Sequence, residues 1–138
     1  MRQAALLQVL LLALSGCQTD SRQQVLATNA TQVQLRAVQT RSFDTADRPL
    51  IVRNVIATLQ DLGFLIDKSD DVLGTVTGTK LGGYTMRMMI TVRPRGPNST
   101  AVRASAQYNL DAVSDAVPYQ QFFSALGKSM FLTANEVD

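Results

Sequence analysis

Two periodicities organise the chain. Between Pro49 and Gly63, apolar side chains return every three or four residues, at Ile51, Val52, Val55, Ile56, Leu59 and Leu62. That spacing gathers them onto one face of a helix. Asp44-Thr45-Ala46-Asp47 offers oxygens to cap its start, and Pro49 falls in the first turn, where a missing N–H does no harm. Gly63 stands where a helix commonly stops in left-handed backbone, and Phe64 beyond it is placed to touch Leu59. Further on the period becomes two. Tyr84, Met86, Met88, Ile90 and Val92 alternate with Thr85, Arg87, Met89, Thr91 and Arg93. Val102, Ala104, Ala106 and Tyr108 then alternate with Arg103, Ser105, Gln107 and Asn109. The Pro- and Gly-containing stretch from Pro94 to Ser99 separates the two runs, so they are predicted to pair as an antiparallel hairpin.

Weaker patterns fill the remainder. Leu35 to Phe43 predicts a first strand, with Val33 to Ala37 already belonging to it. Phe64-Leu65-Ile66 starts a second strand, Ser69-Asp70-Asp71 turns it, and Leu73 to Lys80 returns as a third. Thr75, Thr77 and Thr79 give that strand a weakly apolar second face. Leu81-Gly82-Gly83 is a turn. A closing helix is predicted from Ala116 to Thr133, capped by Ser114 or Asp115 and with Pro118 early in it. Its apolar stripe is Tyr119, Phe122, Phe123, Leu126 and Met130, and Gly127 is expected to mark close packing on the sheet. The order β-α-β-β-β-β-α implies an α+β domain over residues 35–138. Its antiparallel sheet has four to five strands, with two helices on one face.

The N-terminus follows another logic. After Arg2, Ala4 to Leu14 is apolar except for Gln8. The run is too short for a hydrocarbon core, which needs about 20 residues, but fits the hydrophobic part of a secretory signal, roughly 7–15 residues. Leu14-Ser15-Gly16-Cys17 follows and resembles the lipobox of bacterial lipoproteins. The resemblance implies that residues 1–16 are a signal peptide removed at Cys17 and that the Cys17 thiol carries a diacylglycerol. Gln18, where an aspartate would retain the protein at the inner membrane, implies the outer membrane and its periplasmic face. Residues 17–34 are rich in Gln, Thr, Asn and Ser and read as a flexible tether, about 55–60 Å long when fully extended.

Composition removes whole classes of chemistry. With 46% hydrophobic and 17% charged residues, the chain is built to fold. The formal charge is only +2, and one of the cations is Arg2, so no nucleic-acid partner is expected. There is no histidine, and Cys17 is the only cysteine. Cysteine–histidine zinc sites, Ser-His-Asp or Cys-His catalysis and internal disulfides are thereby excluded. Asp67, Asp70 and Asp71 cluster at a turn and Asp44 with Asp47 at a helix start, which suits turns and caps rather than calcium or glycoside hydrolysis. Gly74, Gly78, Gly82 and Gly83 lie along a hairpin, not between strand and helix as a phosphate loop requires. No motif joins Lys68, Lys80 or Lys128 to a serine nucleophile. No metal or cofactor is implied, and the role expected is non-enzymatic.

The arginines carry the one suggestive pattern. Arg87 and Arg93 share the polar face of one predicted strand, Arg103 sits on the polar face of its neighbour, and Arg41 is placed to join them. Such a face is either solvated for solubility or a basic contact surface for an acidic group. Met89 among the arginines favours contact.

A second resemblance rests on the helix running into Leu59-Gln60-Asp61-Leu62-Gly63-Phe64, with Lys68, Asp70, Asp71 and Gly74 following. Over roughly residues 48–80 this is similar to the helix-grip domains of the C subunit of the outer-membrane β-barrel assembly machine. One such unit is found here rather than two, and the likeness assigns no functional residues. Together the resemblances imply an accessory or docking subunit of an envelope transport, secretion or assembly complex. The alternative is a module holding a lipid or other small amphiphile between helices and sheet.

Overall fold

The computed structural model describes residues 31–135, most of them in a compact unit beginning at Leu35. The expected signal peptide, Cys17 and residues 17–30 of the expected tether lie outside the described residues. The fold is α+β. Strands β1 (Thr40–Phe43), β2 (Leu65–Asp70), β3 (Thr75–Leu81), β4 (Thr85–Pro94), β5 (Thr100–Tyr108) and β6 (Asp111–Ala112) form one open antiparallel sheet. Helix α1 covers residues 31–39, α2 spans Arg48–Asp61 and α3 spans Ala116–Asn135. The spatial order is β1-β5-β4-β3-β2, and β6 pairs with the same edge of β5 that β1 uses.

Helix α2 begins and ends as its sequence dictates. The Asp47 carboxylate accepts the Leu50 N–H at 3.0 Å, and Pro49 sits in the first turn. At the other end Gly63 has φ +87°, the Gly63 N–H donates to Gln60 O at 2.9 Å, and the Phe64 N–H donates to Leu59 O at 2.9 Å. These bonds satisfy the last carbonyls, and a side chain at Gly63 would strain the left-handed backbone. Ile51, Val52, Val55 and Leu59 are buried. They pack with Val76 of β3, Met86, Met88, Ile90 and Val92 of β4, Val102, Ala104 and Ala106 of β5, and Tyr119, Phe122, Phe123 and Leu126 of α3. Small residues on the sheet leave room for large ones on the helices; Gly78 brings its Cα under Phe64 and Leu59.

Polar groups fix how the helices seat. Asn54 is buried on α2, and its Oδ1 accepts the Ser129 hydroxyl at 2.6 Å and the Thr133 hydroxyl at 2.9 Å from α3. Its amide donates to Leu50 O at 2.9 Å. Tyr119, fully buried, reaches the sheet edge: its hydroxyl donates to Val113 O at 2.7 Å and accepts from the Ala106 N–H and the Gln39 amide, each at 3.2 Å. Strand β1 covers residues 100–103 of β5 and β6 covers 107–108. Ala106 therefore falls in the gap, and the tyrosine takes the bond that a strand would have made.

Several expectations need correction. Residues 31–39 are helical, so the first strand begins at Thr40, not Leu35, and the expected tether is helical over 31–34. Gln34, Leu35, Arg36 and Ala37 are good helix formers, and Leu35 and Val38, one turn apart, pack against the core. The turn expected at Ser69–Asp71 lies at residues 71–74, because Ser69 and Asp70 pair with Val76 and Thr75. The Asp70 carboxylate accepts the Leu73 N–H at 2.8 Å, and Gly74 closes the turn at φ +66°, where a Cβ would run into the Val92 carbonyl. Strand β3 consequently starts at Thr75 rather than Leu73. Tyr84 belongs to the β3–β4 turn and is 54% exposed, so it is not part of the buried alternation. Gly127 does not contact the sheet: a Cβ there would meet open space. Strand β6 was too short to register in any pattern.

Two hydroxyls give opposite expectations in urea denaturation of the full chain. Tyr119→Phe leaves the Ala106 N–H, Val113 carbonyl and Gln39 amide short of a partner, at about 1–3 kcal/mol for each buried group left unpaired, so a loss of at least about 2 kcal/mol is expected. Thr58, 1% exposed on α2, has a hydroxyl with no hydrogen-bond partner among the described residues. Thr58→Val removes that desolvated group and is expected to raise stability by up to about 1 kcal/mol.

Candidate functional site

An antiparallel sheet with α2 and α3 packed on one face presents the other face to its surroundings. The ladder register places Arg87, Met89, Thr91 and Arg93 of β4 on that outer face, beside Ala101, Arg103, Ser105 and Gln107 of β5 and opposite Thr75, Thr77 and Thr79 of β3. Thr40 and Ser42 of β1 share it. The three predicted arginines are all exposed, but they do not form one cluster. Arg93 pairs with Ala101 and Arg103 with Thr91, which makes the two arginines diagonal neighbours, about 7–8 Å apart at the backbone. Together with Thr40, Thr91 and Ala101 they line a shallow groove of about 490 Å³. Arg87 is six residues away along β4, about 20 Å at strand spacing. It borders a separate hollow with Leu35, Gln39, Met89, Ser105 and Gln107.

Arg41 was expected to join this group and does not. It pairs with Val102, whose side chain is in the core, so Arg41 lies on the helix-covered face, with its guanidinium 5.7 Å from the centre of the Phe123 ring. The error came from reading the first strand from Leu35 without a partner strand to set its face. Arg95 takes the vacant place. From the β4–β5 loop its guanidinium donates to the Ser42 hydroxyl at 2.8 Å, which brings a third cation to the end that holds Arg93 and Arg103. Strand alternation cannot assign a face to a loop residue, so only the ladder could find it. Among the described residues neither Arg93 nor Arg103 is paired with a carboxylate. Met89, 47% exposed, adds apolar surface midway between the two basic ends.

On the opposite side of the sheet, at the end where α2 stops and α3 starts, lies a cleft of about 140 Å³. Leu62, Phe64, Met86 and Met88 supply apolar walls, and Lys80, Tyr84, Tyr108 and Gln121 supply polar ones. The Lys80 ammonium donates to Leu62 O at 2.8 Å and stands 5.9 Å from the centre of the Phe64 ring. Tyr84 and Tyr108 meet edge to face with ring centres 4.9 Å apart. Partial burial, then the neighbouring Tyr84 and Asp115, push the Tyr108 phenol up from its ordinary value, so it stays a neutral donor at physiological pH. Small-molecule sites usually enclose about 300–1,000 Å³. This cleft takes a single ring and not a lipid chain. A third hollow, about 520 Å³, runs along α3 past Phe123, Gly127, Lys128 and Leu132.

Among the described residues no group of three or more Asp, Glu, His or Cys could hold a metal, and no helix is long and apolar enough to cross a membrane. No protein-family model matches the chain, and comparison with curated proteins finds no significant relative.

Exposed and unpaired, Arg93 and Arg103 have no structural task. Arg93→Ala and Arg103→Ala are each expected to leave the urea midpoint close to that of the parent, within about 0.5 kcal/mol of stability. A larger loss from either would mark the groove as part of the framework.

Proposed function

We propose that the protein is a lipid-anchored, periplasm-facing lipoprotein of the outer membrane that acts without catalysis as an accessory or docking subunit of an envelope complex. The anchor reading rests on the sequence Leu14-Ser15-Gly16-Cys17 behind a short apolar run. The docking reading rests on one observation: the uncovered sheet face carries two adjacent arginines without acidic partners, with a third cation beside them. Like charges held side by side repel one another. They are retained at low cost only in water, and they raise the local potential for an acidic surface. Their contribution is to encounter rate and orientation more than to affinity, since an exposed pair adds only about 0.2–1 kcal/mol. A membrane anchor makes that sufficient by holding the domain at high local concentration.

The second reading, a carrier for a lipid or similar amphiphile, is less well supported, because the cleft between helices and sheet is about 140 Å³.

Two experiments test the proposal separately. Cys17→Ser is expected to block processing and release the protein from carbonate-washed membranes; a serine variant that is cleaved and retained like the parent would refute the anchor. Arg93→Glu with Arg103→Glu is expected to leave folding and membrane attachment intact while abolishing co-purification of partner proteins that the parent retains at low salt. Arg87→Glu alone, at the far end of the face, is expected to weaken that capture far less. Equal capture by the parent and the double variant would reduce the arginines to a solvated face.

A further inference from the structure

The cleft on the helix side of the sheet is independent of the docking face, and its chemistry is specific. We propose that it is a binding site for a small aromatic carboxylate, a single ring bearing one anionic group.

The size of the site sets the ring. A cavity of about 150 Å³ lined by apolar side chains is enough to hold benzene, and this cleft is about 140 Å³. Its apolar part is made by Phe64, Met86 and Met88, all buried. Methionine sulfur and an aromatic wall both favour a flat, polarisable occupant. The T-shaped Tyr84–Tyr108 pair already presents the edge-to-face geometry that an inserted ring would extend.

The carboxylate follows from the donors. The Lys80 ammonium has three N–H groups, and one is used on Leu62 O at 2.8 Å. That bond anchors the cation at the C-terminal end of α2, beside Gly63, whose Cα faces the lysine stem. Two N–H groups remain for a ligand. The Gln121 amide lines the same space and can donate as well, beside the hydrogen-bonded Tyr108–Tyr84 phenol pair. An oxygen-rich anion satisfies this set; an ammonium does not, because it would face Lys80 at close range. Access is through the β3–β4 turn, where Gly82 lines the cleft and a Cβ would meet nothing within 4 Å.

The methionines make the test direct. The full chain is labelled at its methionine methyls and titrated by NMR with benzoate, benzyl alcohol and benzylammonium. Met86 and Met88 line the cleft, Met89 points from the opposite face of the sheet, and Met130 lies on α3 away from it. Benzoate is expected to give saturable shifts at Met86 and Met88 with Met89 and Met130 unmoved, benzyl alcohol to bind more weakly, and benzylammonium not at all. Lys80→Gln is expected to weaken benzoate about three- to tenfold, the value of a charge-assisted hydrogen bond partly screened by water, and to leave benzyl alcohol unchanged. Gly82→Trp, which fills the entrance without touching the core, is expected to abolish the shifts while Met89 and Met130 report an intact fold. The proposal is overturned if no probe gives a saturable shift, if benzylammonium matches benzoate, if Met89 moves with Met86 and Met88, or if Gly82→Trp binds like the parent.

Discussion

An antiparallel sheet tolerates an interrupted edge only if something satisfies the backbone groups in the interruption. Here β1 and β6 share one side of β5 and stop short of each other, and the Tyr119 hydroxyl fills the space between them. With one donated and two accepted hydrogen bonds, it uses the full capacity of a phenol. The bonds tie α3 to the end of α1, distant in sequence, and to the C-terminal end of β5 and the exit from β6, which lie just before it in the chain. Because the ring is wholly buried, its position also sets where Phe122, Phe123 and Leu126 meet the sheet. A helix that slid by one turn along β5 would leave Ala106, Val113 and Gln39 desolvated and unpaired.

The second constraint lies between the helices. Asn54 on α2 takes hydroxyls from two successive turns of α3, Ser129 and Thr133. Apolar contact alone would permit several helix–helix registers of similar energy, whereas a buried amide has its bonds in only one. Tyr119 near the start of α3 and the Asn54 contacts near its end therefore hold the helix at two points. What remains outside this framework is where binding becomes possible: the outer sheet face, which neither α2 nor α3 covers, and the cleft at the end of the layer, where α2 stops at Gly63 and the β3–β4 turn leaves Gly82 at the entrance.

The division between the two faces also separates two kinds of recognition. The arginine groove is shallow, open and charged, so it suits an extended acidic surface met by diffusion. The cleft is narrow, with donors at one rim and sulfur and aromatic carbon inside, so it suits a small rigid molecule. Neither requires the other, and the β4 strand supplies both: odd-numbered Arg87, Met89, Thr91 and Arg93 to one side, even-numbered Met86, Met88, Ile90 and Val92 to the other.

Where the local pattern was long or chemically obligatory, the amino-acid sequence was enough. Helix α2 could be read from its cap, its apolar face and Gly63, because all three act within a few residues of one another. The β4–β5 hairpin and the buried stripe of α3 followed from strict alternation and helical spacing, and the absence of histidine restricted the chemistry without any coordinates. The tertiary structure decided what depends on partners distant in the chain. Leu35 to Gln39 settled as helix with Leu35 and Val38 packed together on the core, a contact that alternation along the chain does not reveal. Arg41 was assigned to the helix side only by its pairing with Val102, and Arg95 to the outer side only by its bond to Ser42. The two-residue β6 and the Tyr119 hydroxyl that stands between it and β1 have no periodic signature at all. Periodicity records which face of its own element a residue occupies; register between elements decides what that face meets.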